Sequence, residues 1–77
     1  MRNLSNITLD ELRRVLQLAG LAFDGVSGGH EKWSKAGMTR PVIFQTHKEP
    51  VPEFIVRNIM RDIGMNRKDF ISLLESL

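Results

Sequence analysis

Residues Leu21–Thr46, LAFDGVSGGHEKWSKAGMTRPVIFQT, decide the fold. Within them the helical period found on either side disappears. Leu21-Ala22-Phe23 reads as a short strand, and Gly25, Ser27, Gly28 and Gly29 then punctuate the chain as a turn. His30-Glu31-Lys32-Trp33-Ser34-Lys35 fits a second strand. Alternation sets Trp33 on one face and His30, Lys32 and Ser34 on the other. Ala36-Gly37-Met38 suggests a tight hairpin turn. Arg40-Pro41-Val42-Ile43-Phe44-Gln45-Thr46 is the strongest strand of the chain, with Pro41 confined to its first residue or to an edge.

Outward from this stretch, helical spacing takes over. Upstream, Thr8-Leu9-Asp10-Glu11 has the form of a capping box, and Leu9, Leu12, Val15, Leu16 and Ala19 follow on one stripe. The spacing predicts a helix over 8–19, closed by Gly20. Downstream, His47 to Glu53 reads as a loop, because Pro50 and Pro52 offer no ladder donors, and Pro52 suits the first turn of a helix. There Ile55, Val56, Ile59, Met60 and Ile63 form a stripe, with Glu53, Arg57 and Arg61 stacked opposite. Gly64 ends that helix. Asn66 caps a third, with Asp69 in the capping position and Phe70, Ile71, Leu73, Leu74 and Leu77 as its apolar set.

The order is helix, three short strands, helix, short helix. Hairpin-length connections make the sheet antiparallel, and the economical packing puts all the helices on one face. The expectation is a single α+β domain over 1–77: two layers, a three-stranded antiparallel sheet, αβββα(α) order, and one sheet face left open for a partner. At 77 residues the core is marginal, since so short a chain buries only about 60–65% of its unfolded surface. With no cysteine there is no disulfide staple, thiolate metal site or cysteine nucleophile. The polar start Met1–Asn6 does not read as a signal peptide, and no apolar run approaches bilayer length. A soluble cytoplasmic protein is expected. A net charge of +2 permits phosphate contacts without demanding them.

Gly28-Gly29-His30 is the unit that carries chemistry. Two glycines allow a sharp turn or a close ligand approach, and they deliver an imidazole to the start of a strand. One histidine suffices as general base or acid near neutral pH. RNA cleavage is a reaction that runs this way, because the 2′-hydroxyl beside the scissile phosphate is itself the nucleophile. The plain alternative is a surface histidine after a turn. His30 and His47 are the only histidines, without metal-ligand spacing, and no Gly-x-Ser-x-Gly or phosphate-loop pattern is present, so neither a metal nor a cofactor is expected. Lys32, Lys35, Arg40 and Lys48, with Arg57 and Arg61, either meet phosphates around His30 or form an ordinary solvated surface. Trp33 either stacks on a base or, more commonly for a lone Trp, belongs to the core. Met60 and Met65 read as packing residues.

The helix ending Ala19-Gly20, then Gly28-Gly29-His30-Glu31-Lys32-Trp33, the hairpin, Thr46-His47-Lys48-Glu49, and the closing Pro52…Arg57-x-Ile59-Met60-Arg61-Asp62-Ile63-Gly64…Asp69-Phe70 together resemble the HicA (YcfA-like) toxins. These are small mRNA interferases of type II toxin–antitoxin pairs, and the likeness runs from about Thr8 to Leu74. It implies a double-stranded-RNA-binding-like fold, a catalytic histidine at His30, mRNA as substrate, and a HicB antitoxin that covers the active surface. Gly28, Gly29, Lys32, Lys35, Arg40, His47 and Lys48 are the candidate RNA contacts. The chain departs from the family in carrying Gly29 where a serine is usual, and in a muted basic character, with Glu31 beside the motif. A non-catalytic RNA- or protein-binding module on the same fold is the second expectation.

Overall fold

The computed structural model describes residues 2–77. Six elements follow in the expected order: α1 (Leu9–Leu18), β1 (Ala22–Ser27), β2 (His30–Ser34), β3 (Val42–Gln45), α2 (Glu53–Ile63) and α3 (Arg67–Glu75). The strands form one antiparallel sheet in the order β1-β2-β3.

The helix ends follow from their caps. The Thr8 hydroxyl accepts from the Glu11 amide at 3.1 Å, and the Glu11 carboxylate accepts from the Thr8 amide at 3.0 Å, so two orphan donors of α1 are met. Ile7 and Leu12, which flank this box at the spacing of a hydrophobic staple, are both wholly buried. Gly64 stops α2 with φ 70° and ψ 31°, a left-handed conformation that glycine adopts without a Cβ penalty. The Asn66 side chain accepts from the Asp69 amide to start α3.

Along β2 and β3 burial alternates strictly. Glu31, Trp33, Val42 and Phe44 point into the core, while His30, Lys32, Ile43 and Gln45 are exposed on the opposite face. The buried stripes of all three helices (Leu12, Val15 and Leu16; Val56, Ile59 and Met60; Phe70, Ile71 and Leu74) meet the inward face in one core. Trp33 is 4% exposed and belongs to that core, so it offers no ring to a base.

The main differences from the sequence expectation lie in the strands and their links, each for a local reason; β2 ends at Ser34, one residue before the expected Lys35. β1 does not stop at Phe23: it continues to Ser27, with the register slipping between Phe23 and Gly25. Asp24 is the extra, unpaired residue of a bulge; Gly25, at φ 118°, accommodates it and resumes the ladder opposite Lys32, followed by Val26 opposite Glu31 and Ser27 opposite His30. The turn is therefore Gly28-Gly29 alone. Ala36-Gly37-Met38 does turn, through a Met38 amide bond to the Lys35 carbonyl, but the link between β2 and β3 spans 35–41 and is no tight hairpin. Arg40, Pro41 and Thr46 accordingly lie outside β3. Leu4 and Ile7, in a stretch that shows no hydrophobic period, join the core, and Ile7 bridges to Val51.

Candidate functional site

Gly28 and Gly29 have φ of 59° and 81°, and Ser27 pairs with His30 across them. Two successive positive φ values are what a two-residue hairpin of right-handed twist requires, and only glycine takes both freely. The turn sets His30 on the exposed face at the first residue of β2. Its Nδ1 lies 3.3 Å from the Gly28 carbonyl oxygen. A carbonyl only accepts, so this contact is a hydrogen bond when Nδ1 carries the proton, and Nε2 is then the basic nitrogen.

The neighbour of His30 faces the other way and anchors the strand. The Glu31 carboxylate is 2% exposed. Its Oε1 accepts from Arg13 Nε at 3.0 Å and from Trp33 Nε1 at 2.8 Å; its Oε2 accepts from Arg13 Nη2 at 2.7 Å and from Thr46 Oγ1 at 2.7 Å. Burial alone pushes this carboxyl up. The bonds from Arg13, Trp33 and Thr46, together with the Arg13 charge, outweigh burial and hold it down to about 2. One ion pair thus ties α1, β2 and the segment after β3 into a single frame behind His30.

The Thr46–Glu49 loop is fixed by its outer members. The Thr46 amide donates to the Gly29 carbonyl at 2.9 Å, while the Glu49 carboxylate accepts from the Leu9 amide at 2.6 Å, at the N-terminus of α1 where a negative charge is favoured. Beyond it, the Val51 amide donates to the Ile7 carbonyl at 2.8 Å. His47 and Lys48, between these anchors, are exposed. With Gly28, Gly29, His30 and Gln45 they line a shallow open hollow.

The structure therefore gathers Gly28, Gly29, His30, His47 and Lys48. Lys32 stands two residues along the same exposed face, roughly 6–7 Å from His30 at strand rise. Lys35 and Arg40 are not brought there. The antiparallel register, which pairs His30 with Gln45 and Trp33 with Val42, sends both to the opposite end of the sheet. Lys35 Nζ donates to the Ala19 carbonyl at the end of α1, and Arg40 lies 3.8 Å from Asp62. Arg57 pairs with Glu53 and Arg61 donates to Asn58, both on the solvent side of α2.

A second, deeper cleft of about 290 Å³ opens from His30 toward α2, lined by Ile43, Gln45, Lys48, Phe54 and Ile55 among others. Gln45 and Phe54 escaped the sequence reading. Gln45 was identifiable as the cross-strand neighbour of His30 once the register was known. Phe54 lies off the apolar stripe of α2, and that misfit was its signal. Among the described residues no group of three or more His, Asp or Glu side chains is placed to hold a metal ion, and no helix is long and apolar enough to cross a membrane. Comparison with known proteins adds no relative: no family model, curated protein or solved structure matches the chain.

Proposed function

We propose that the chain is a HicA-like mRNA interferase, a metal-independent endoribonuclease of the cytoplasm that a HicB-like antitoxin neutralises. The observation that carries this reading is His30: an exposed imidazole at a hairpin corner, its Nδ1 3.3 Å from the Gly28 carbonyl oxygen, so that Nε2 is the basic nitrogen in the tautomer that makes this bond. In the proposed step Nε2 takes the proton of a ribose 2′-hydroxyl. The freed 2′-oxygen bonds to the adjacent phosphorus, the bond from phosphorus to the 5′-oxygen breaks, and that oxygen takes a proton from water. The products are a 2′,3′-cyclic phosphate and a 5′-hydroxyl. Lys48 and Lys32 offset the negative charge that gathers on the phosphate, and the Gly28-Gly29 turn lets the backbone of the RNA come close.

The nuclease reading is tested by inducing the wild type beside His30→Ala in cells. The wild type arrests growth and fragments transcripts; His30→Ala does neither. A toxic, cleaving His30→Ala protein overturns the mechanism. Purified wild type that binds RNA with steep salt dependence but leaves it intact instead supports the non-catalytic RNA module. A small acidic neighbouring reading frame with a DNA-binding domain supports the antitoxin pairing.

A further inference from the structure

Phe54 is the most exposed large apolar side chain among the described residues, at 64%; it sits at the start of α2, off the apolar stripe of that helix, whose members are buried or half-buried. It does not stand alone in solvent. Its ring lines the same cleft as His30, Ile43, Gln45, Lys48 and Ile55, and at about 290 Å³ that cleft is at the lower end of small-ligand sites. An aromatic face, an aliphatic floor from Ile43 and Ile55, one amide and one ammonium form a particular combination. The apolar members take a flat ring, the Gln45 amide matches the donor and acceptor edge of a base, and the Lys48 ammonium meets a phosphate beside it.

Resting on the ribonuclease reading above, we infer that this cleft is a nucleobase subsite. One base flanking the scissile phosphate is splayed from the strand, stacks on Phe54, and presents its edge to Gln45, which sets the ribose of the reacting nucleotide at His30. Phe54 is then a positioning and specificity residue, with no part in proton transfer. An unpaired base is needed to enter the cleft, so the substrate class is single-stranded RNA. Stacking on an aromatic side chain is worth about 1–3 kcal/mol per base by alanine substitution, which is roughly a 5- to 150-fold change in affinity.

The test uses a short single-stranded RNA, 2′-O-methylated throughout so that it cannot be cut, carrying 2-aminopurine as its reporter base. Binding to the wild type changes the reporter's fluorescence as the base stacks. Phe54→Ala binds roughly 5- to 150-fold more weakly and loses the fluorescence change, while Phe54→Trp keeps both. On the unmethylated RNA, Phe54→Ala raises KM far more than it lowers kcat, and Gln45→Ala flattens the preference for the base beside the cut. A Phe54→Ala protein that binds and stacks the reporter like the wild type overturns the subsite. So does a wild type that binds no single-stranded RNA, and so does a Phe54→Ala protein that loses only a protein partner. If Phe54→Ala weakens reporter binding while the wild type cuts no RNA, the subsite stands and the nuclease reading fails.

Discussion

Glu31→Ala removes the one carboxylate that binds Arg13, Trp33 and Thr46 together, and the structure sets the size of the loss. In the wild type every hydrogen-bonding position around the carboxylate is used, and holding it at about 2 against an ordinary 4.5 is linked to about 3 kcal/mol of folding free energy. The alanine variant leaves the buried Trp33 indole N–H and the half-buried Thr46 hydroxyl without their acceptor, and strands the half-buried Arg13 guanidinium. Breaking such a pair costs about 3–5 kcal/mol, set against a total of ~4–12 kcal/mol for a chain of this length. Each kcal/mol moves Tm by roughly 4–8 °C in so small a domain, so a fall of at least ~12 °C is expected. Far-UV circular dichroism is the appropriate assay, because Trp33, the only Trp, is itself a partner of Glu31 and reports locally. Acid provides the second axis. A carboxyl held low in the folded state contributes stability above the unfolded value and loses it as pH falls, here between about 4.5 and 2. The difference in stability between wild type and Glu31→Gln therefore shrinks across that window, while the slope due to Glu11, also held near 2 by its bond to Arg2, remains in both. A Glu31→Ala protein that melts within ~5 °C of the wild type shows that the Glu31 carboxylate does not hold this frame together.

Glu49→Ala removes the carboxylate at the α1 N-terminus and is expected to cost about 1 kcal/mol by thermal melting. Thr8→Ala opens the capping box and costs a similar amount, readable as a lowered urea midpoint with an unchanged slope. Gly29→Ser adds a side chain at the hairpin turn; its Cβ meets no atom within 4 Å, but φ of 81° strains it, so stability falls by about 1 kcal/mol while the Ser27–His30 pairing survives. Amide proton exchange along β1 and β2 checks that last outcome.

Much of the fold was legible because its signals are local. The Thr8–Glu11 box, Gly64 and Asn66 each act within one helical turn, and alternation through His30–Ser34 set Trp33 and His30 on opposite faces, as found. What escaped depends on partners distant in sequence. Leu4 and Ile7 are buried by elements far along the chain, which no period in a polar stretch reveals. Gly25 looks like a terminator, since the bulge that lets β1 continue exists only opposite β2. Glu31 reads as a solvated charge until Arg13, 18 residues upstream, is brought to it by the fold. At the candidate site, His30 and Lys48 were singled out from their residues and His47 through the resemblance, and the fold brings the three to one hollow. Lys35 and Arg40 were misplaced because their distance from His30 is set by strand register, and nearness in sequence is a poor guide to it.

A single rate constant tests whether the His30 imidazole moves a proton in RNA cleavage: the first-order cutting of one defined RNA by purified His30→Ala protein beside the wild type, with matched circular dichroism and Tm. Loss of a positioned acid–base group lowers rates by ~10²–10⁴-fold. A loss in that range with the fold intact is expected; a folded variant cutting at the wild-type rate contradicts a proton-transfer role for His30.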